Sequence, residues 1–146
     1  MAESQQNFQN HTRLDTGFHK ILFPILFLTL IGSGVNLYRS FGDHARLYNA
    51  SLIAVLVCTS IGLFFYARIF ALKAQDRAIR AEENLRHFAM TGKLLDSRLG
   101  VRQIVALRFA SDKEFAGLAE KAARESMAPV EIKKAIREWR GDHYRV

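Results

Sequence analysis

Residues 51–91 read SLIAVLVCTSIGLFFYARIFALKAQDRAIRAEENLRHFAMT, and the fold turns on how this stretch is interpreted. It opens as an apolar run and passes through Arg68 and Lys73, with no Gly or Pro after Gly62, into a charged pattern of helical spacing. One helix accounts for both halves, with a start suited to hydrocarbon and an end suited to water. The chain around it is then all-α. It is a membrane helical hairpin whose second helix extends into the cytoplasm, followed by a small helical domain.

Upstream, residues 18–38 (FHKILFPILFLTLIGSGVNLY) are long enough to cross a hydrocarbon layer of ~30 Å at ~1.5 Å per residue. A cleaved signal peptide is the competing reading, but the flank has no clear A-x-A site and a second span follows at once. Pro24 either sits in a first helical turn or kinks the helix by removing the bond to Lys20. The connection RSFGDHAR (residues 39–46) holds a Gly-Asp turn signal, so the two spans are antiparallel neighbours. The expected divisions are a polar tail at 1–16, the hairpin at 17–72, a juxtamembrane extension at 73–92 and a basic helical domain at 93–146.

Lipid supplies no hydrophobic drive for helix pairing, so small residues should mark the contact face. Ala54, Cys58 and Gly62 recur every four residues on the second helix. Thr29 with Ser33, or Gly32 with Asn36, face them from the first, within the hairpin or between copies. Cys58 is the only cysteine, which rules out a disulfide framework and a Cys-based metal site.

The 146 residues are 49% hydrophobic and carry a formal charge of +7. Residues 73–146 hold 16 Lys plus Arg against 11 Asp plus Glu, so most of the surplus follows the apolar half. Arg13, Lys20, Arg68, Lys73, Arg77, Arg80 and Arg86 flank the outer ends of the spans, while the turn has Arg39 and Arg46. The positive-inside rule therefore puts both termini in the cytoplasm of a bacterial inner membrane. Lys73, Arg77 and Arg80 are the residues expected to meet anionic headgroups.

Past Leu72, Asp76 with Arg80, Glu82 with Arg86 and Glu83 with His87 have the four-residue spacing of helix-surface ion pairs. Gly92 suits a helix C-cap. GVRQIVALRFA reads as an apolar-basic helix, with strand as the alternative because of its β-branched residues. The next helix begins with Ser111 and Glu114 spaced as a capping box, and Phe115, Leu118, Ala119 and Ala122 share one face. A last helix starts at Pro129 and presents Val130, Ile132, Ala135, Ile136 and Trp139. Ile79, Phe88, Ile136 and Trp139 are the candidate partner interface.

The segments QNFQNHTRLDTGFH, ALKAQDRAIRAEENLR, QIVALRFASDKEF and PVEIKKAIREWRGDHYRV resemble those of a family of small bacterial two-span membrane proteins known only as a domain of unknown function. The resemblance covers nearly the whole chain and implies no activity, cofactor or catalytic residue. This chain departs from the family pattern at Thr16 or Gly17, where the family has Pro, and at Ala128, where a Ser would be a better N-cap.

No H-E-x-x-H, Gly-rich phosphate loop, G-x-S-x-G or Cys-His pair is present, which argues against an enzyme. Acidic residues interleave with the basic ones, which argues against nucleic acid, although a membrane-tethered nucleic-acid-binding protein is kept as an alternative. His19 and His44 each stand alone near a span end, so haem or chlorophyll-type ligation is a further alternative, while the pairing of His11 with His19 has no helical spacing behind it. The sequons at Asn10 and Asn49 fall beside or within the expected cytoplasmic and membrane segments. The favoured reading has no cofactor. It is an accessory or scaffold subunit whose partners are anionic lipid, other membrane subunits or further copies of itself.

Overall fold

In the computed structural model, residues 6–10 and 15–142 are described, and they are all-helical. The helices are α1 (Gly17–Arg39), α2 (His44–Thr91), α3 (Val101–Leu107), α4 (Asp112–Glu125) and α5 (Pro129–Ala135). The chain divides into two compact units. Residues 14–71 form a hairpin, and residues 72–146 together with 1–13 form a module, with α2 contributing to both.

In the hairpin, α1 and α2 are both long and apolar enough to cross a membrane. The first turns of α1, Gly17–Leu22, are π-helical, and the Phe23 N–H reaches back to the Phe18 carbonyl. Pro24 follows directly. It has no N–H to give to Lys20, and its ring would crowd that carbonyl in a regular α-turn. The wider π-turn ahead of it accommodates the ring, and Pro24 stands in the first turn of the regular α-helix that begins at Phe23, the first of its two expected placements. Asp15 caps this end by accepting the Phe18 N–H at 2.7 Å.

The connection spans only residues 40–43, shorter than the turn signal suggests. Asp43 accepts the Arg46 N–H at 3.1 Å and pairs with its guanidinium at 3.2 Å, which draws residues 44–46 into α2. Gly42 takes a φ of +98°, which only Gly adopts cheaply.

The packing seam within the hairpin has alternating three- and four-residue spacing. Ser33 on α1 and Ser40 just past its end are buried, with Leu26 and Leu37 half-buried. On α2 Ala50 and Val57 are buried, with Ala54, Ile61 and Phe64 half-buried. Phe64 stacks on Phe18 at 3.9 Å, and the Arg68 guanidinium lies 5.5 Å from the same ring. Of the small-residue stripe Ala54 and Gly62 are half-buried. Cys58 is exposed, and a Cβ at Gly62 or Gly32 would meet nothing within 4 Å. The seam follows a period of 3.5, as helices that coil around one another require, and a strict four-residue row drifts off it. Ser33→Phe should therefore cost about 1–3 kcal/mol by overpacking, whereas Gly62→Leu should stay within about 0.5 kcal/mol, both measured as thermal unfolding in detergent.

The module is built around Leu107, Phe109, Phe115 and Ile132, all fully buried. Phe115, Leu118, Ala119, Ala122 and Ala123 form the inner face of α4, and Trp139 packs on the Phe109 ring at 5.1 Å. Gly92, at φ +72°, ends α2 and gives its N–H to the Phe88 carbonyl. Gln103 holds two ends together, accepting the Gly100 N–H at 2.7 Å and donating to the Met127 carbonyl at 2.8 Å.

Two helix boundaries differ from the sequence reading for one reason. Ser111 precedes α4 without making a side-chain cap, and the Glu114 carboxylate turns away from it to accept the Arg137 and Glu138 N–H groups at 3.0–3.2 Å. These bonds end α5 at Ala135 and leave Ile136 extended. Residues 138–140 then run antiparallel to 109–111. Arg140 donates to the Phe109 carbonyl at 2.7 Å, Ser111 donates to Glu138 at 3.0 Å, and Ala110 bridges Trp139. Trp139 is therefore on a short extended segment and not on a helix. Removing the ring that fills the centre, by Phe115→Ala, should cost about 3–5 kcal/mol in chemical denaturation.

Candidate functional site

The charged residues of the module converge where α2 meets the start of α4. Arg86, whose side chain is 11% exposed, donates to Glu83 at 2.9 Å, to Asp112 at 2.6 and 2.8 Å and to the Ala110 carbonyl at 2.8 Å. Its guanidinium also lies 4.2 Å from the Phe115 ring centroid. Glu83 is buried still further, so this arrangement gives a desolvated carboxylate its counter-charge. The ion pairs expected along α2 thus change partners. Arg86 bonds to Glu83 and Asp112 in place of Glu82, while His87 Nδ1 lies 2.7 Å from the Lys93 carbonyl. The reason is tertiary: Glu83 and Arg86 point into the module, where an ion pair is worth more than on a wet helix face.

Beside this network is a cleft of about 380 Å³ lined by Gln75, Ile79, Glu82, Glu83, Arg108, Arg140 and Asp142, among others. Arg108 is buried at its floor, paired with Asp142 at 2.8 Å and lying over the Phe109 ring at 4.4 Å. The buried cation of the cleft is therefore already matched by a carboxylate of the chain. Among the described residues, no group of three or more His, Cys, Asp or Glu is placed to hold a metal ion. His19 Nδ1 lies 3.0 Å from the Asp15 carbonyl, and His44 is exposed at the start of α2. His11 and Arg13 lie outside the described residues.

Of the four residues expected to form a partner interface, Ile79 and Ile136 are buried and Trp139 packs on the core, so the module uses all three for its own folding. Phe88 alone stays on the surface, 51% exposed, with Leu85 beside it. Lys73, Arg77 and Arg80 are all exposed along one side of α2. The N-terminal segment belongs to the module as well. The Gln6 side-chain amide accepts the Asp142 N–H at 3.0 Å and donates to the Asp142 carbonyl at 3.2 Å, and Lys134 lies 5.9 Å from the Phe8 ring.

Between α2 and α3, Asp96 accepts hydrogen bonds from the Arg98 guanidinium and from the Arg98 backbone N–H. These hold its carboxyl at about 2. A depressed folded-state pKa gives stability that is complete above the ordinary Asp range and is lost as pH falls through about 2.

Sequence reasoning missed Arg86, Glu83, Arg108 and Glu114 as organising residues. One signal was available: Arg108 interrupts the run QIVALRFA, and a charge inside an apolar run calls for a buried partner.

An α-helical hairpin with two helices able to cross a membrane, followed by a compact ionic module, defines the class of chain. Within that class it belongs to the family of unknown function DUF6526, whose pattern matches residues 1–146. No curated protein and no solved structure matches it.

Two outcomes test the site. Arg86→Gln strands the Glu83 carboxylate and should destabilise the module by about 3–5 kcal/mol in denaturant unfolding, with Glu83→Leu/Arg86→Met recovering most of it. In a carboxyl NMR titration, Arg98→Gln should raise the Asp96 midpoint from about 2 toward the ordinary Asp value.

Proposed function

We propose that this chain is a non-catalytic integral membrane protein, an accessory or scaffold subunit that crosses the bacterial inner membrane twice and holds its basic module at the cytoplasmic face. The observation that carries this reading is the apolar surface of the hairpin. Ile25, Phe27, Leu28 and Ile31 on α1, and Val55, Leu56, Leu63 and Phe65 on α2, are each roughly half exposed or more. In water each Å² of such surface costs about 25 cal/mol, whereas in lipid tails the cost disappears. Such a continuous band exceeds what a water-soluble surface tolerates.

Two further features support it. The Gln6 to Asp142 bonds put residues from before the first helix of the hairpin and after the second in one unit, as two spans with both flanks on one side allow. The exposed row Lys73, Arg77 and Arg80 begins two residues past the hairpin, within reach of anionic headgroups. Each such cation adds on the order of 1 kcal/mol near a charged leaflet. The buried cation of the cleft, Arg108, is matched by Asp142, which fits a structural module better than a reaction centre.

The test uses full-length chain in a Cys58→Ser background. Asp43→Cys should react with a membrane-impermeant maleimide from outside intact cells, and Gly141→Cys only after permeabilisation. The reverse pattern, or extraction of the protein by alkaline carbonate, would overturn the topology. Replacing Lys73, Arg77 and Arg80 by Gln should lower insertion efficiency or orientation fidelity in anionic but not in neutral vesicles.

A further inference from the structure

The module leaves one side of α2 uncovered, and that side has a pattern of its own. Leu85 and Phe88 are 68% and 51% exposed, although large apolar side chains on a folded helix ordinarily face a core. Stepping back along α2 by alternating three and four residues, their row continues through Ala81, Ala78 and Ala74, all exposed. Ile79, Glu83 and Arg86, which meet the module, lie on a different face of the helix, and Ala78 and Glu82 stand at the edge between the two faces, where they also border the cleft. A row of spacing 4, 3, 4, 3 is the a/d seam of a coiled coil. It puts Ala78 and Leu85 at a, and Ala74, Ala81 and Phe88 at d.

The flanking residues identify the occupant. On this register Arg77 is at g and Glu82 at e, five residues apart. Both are exposed, and among the described residues neither has an ion-pair partner. In a parallel in-register pair, g of one helix meets the e residue five positions on in the other, so Arg77 meets Glu82 of a second copy, twice by symmetry. An antiparallel pair sets g against g and e against e, and the match is lost. Two copies inserted in the same direction in one membrane send α2 out parallel.

We infer that α2 carries a homodimerisation seam, Ala74 to Phe88, which pairs in parallel with the same seam of a second copy. The alanines permit close approach near the membrane, and Leu85 and Phe88 close the far end. The parallel geometry rests on the two-span reading; the seam itself is tested independently of it.

The experiment is oxidative crosslinking of the full chain in native membranes, again with Cys58→Ser. Ala74→Cys and Ala81→Cys should each crosslink to themselves, and Arg80→Cys, off the seam, should not. Arg77→Glu and Glu82→Arg should each lower the dimer fraction several-fold, and the double swap Arg77→Glu/Glu82→Arg should restore it. Crosslinks that form only between Ala74→Cys and Phe88→Cys chains, a monomer throughout, or a double swap no better than the singles would each overturn the seam. Carbonate extraction of the same membranes reads the hairpin separately. A carbonate-soluble protein with both self-crosslinks intact sinks the two-span reading and leaves the seam, whereas a retained protein without them sinks the seam alone.

Discussion

The module depends on where one guanidinium is placed. Arg86 joins the long helix to the start of α4 through Asp112, to the extended segment through the Ala110 carbonyl and to the buried Glu83. Asp112 and Ala110 lie at and just before the start of α4, and the helices on either side of α4 are short, α3 and α5 being seven residues each. Helices of two turns do not persist alone in water, because nucleation costs more than their few bonds return. Their order comes from packing on one another and on the last turns of α2. A small core of this size is marginal, so a buried cation that satisfies three separate elements decides whether they assemble.

How far the sequence could be read depended on the range of the interaction. The hairpin was legible because it is a matter of local composition: a long apolar run needs no partner to declare itself. The long α2 was legible because nothing between Gly62 and Gly92 interrupts it, and Gly92 does end it. The inner face of α4 was visible as Phe115, Leu118, Ala119 and Ala122, since helical spacing is written along the chain. The end of α5 was not. It is imposed by Glu114, whose carboxylate takes amide protons from residues more than twenty positions away. The same holds for Arg86 and Arg108, whose partners are remote in sequence, and for Ile79, Ile136 and Trp139, which look like an exposed stripe until the module closes over them.

The two units use one helix for different ends. Toward the turn, α2 pairs with α1 through Ala50, Val57 and Ile61, where small and aliphatic residues let the two apolar helices approach. Toward Thr91 it presents Ile79, Glu83 and Arg86 to the module, where removal from water drives the packing. The sequence changes character accordingly, from aliphatic residues with small spacers to alternating charge and Ala.

The pairing of Gln6 with Asp142 does the work of a neighbouring strand with a single side chain. Residues 138–140 take their backbone partners from 109–111, and two residues further on the Gln6 amide both gives and accepts a bond at Asp142, from 136 positions away. A bare strand end is where another chain can add its own backbone, and one amide covers this one.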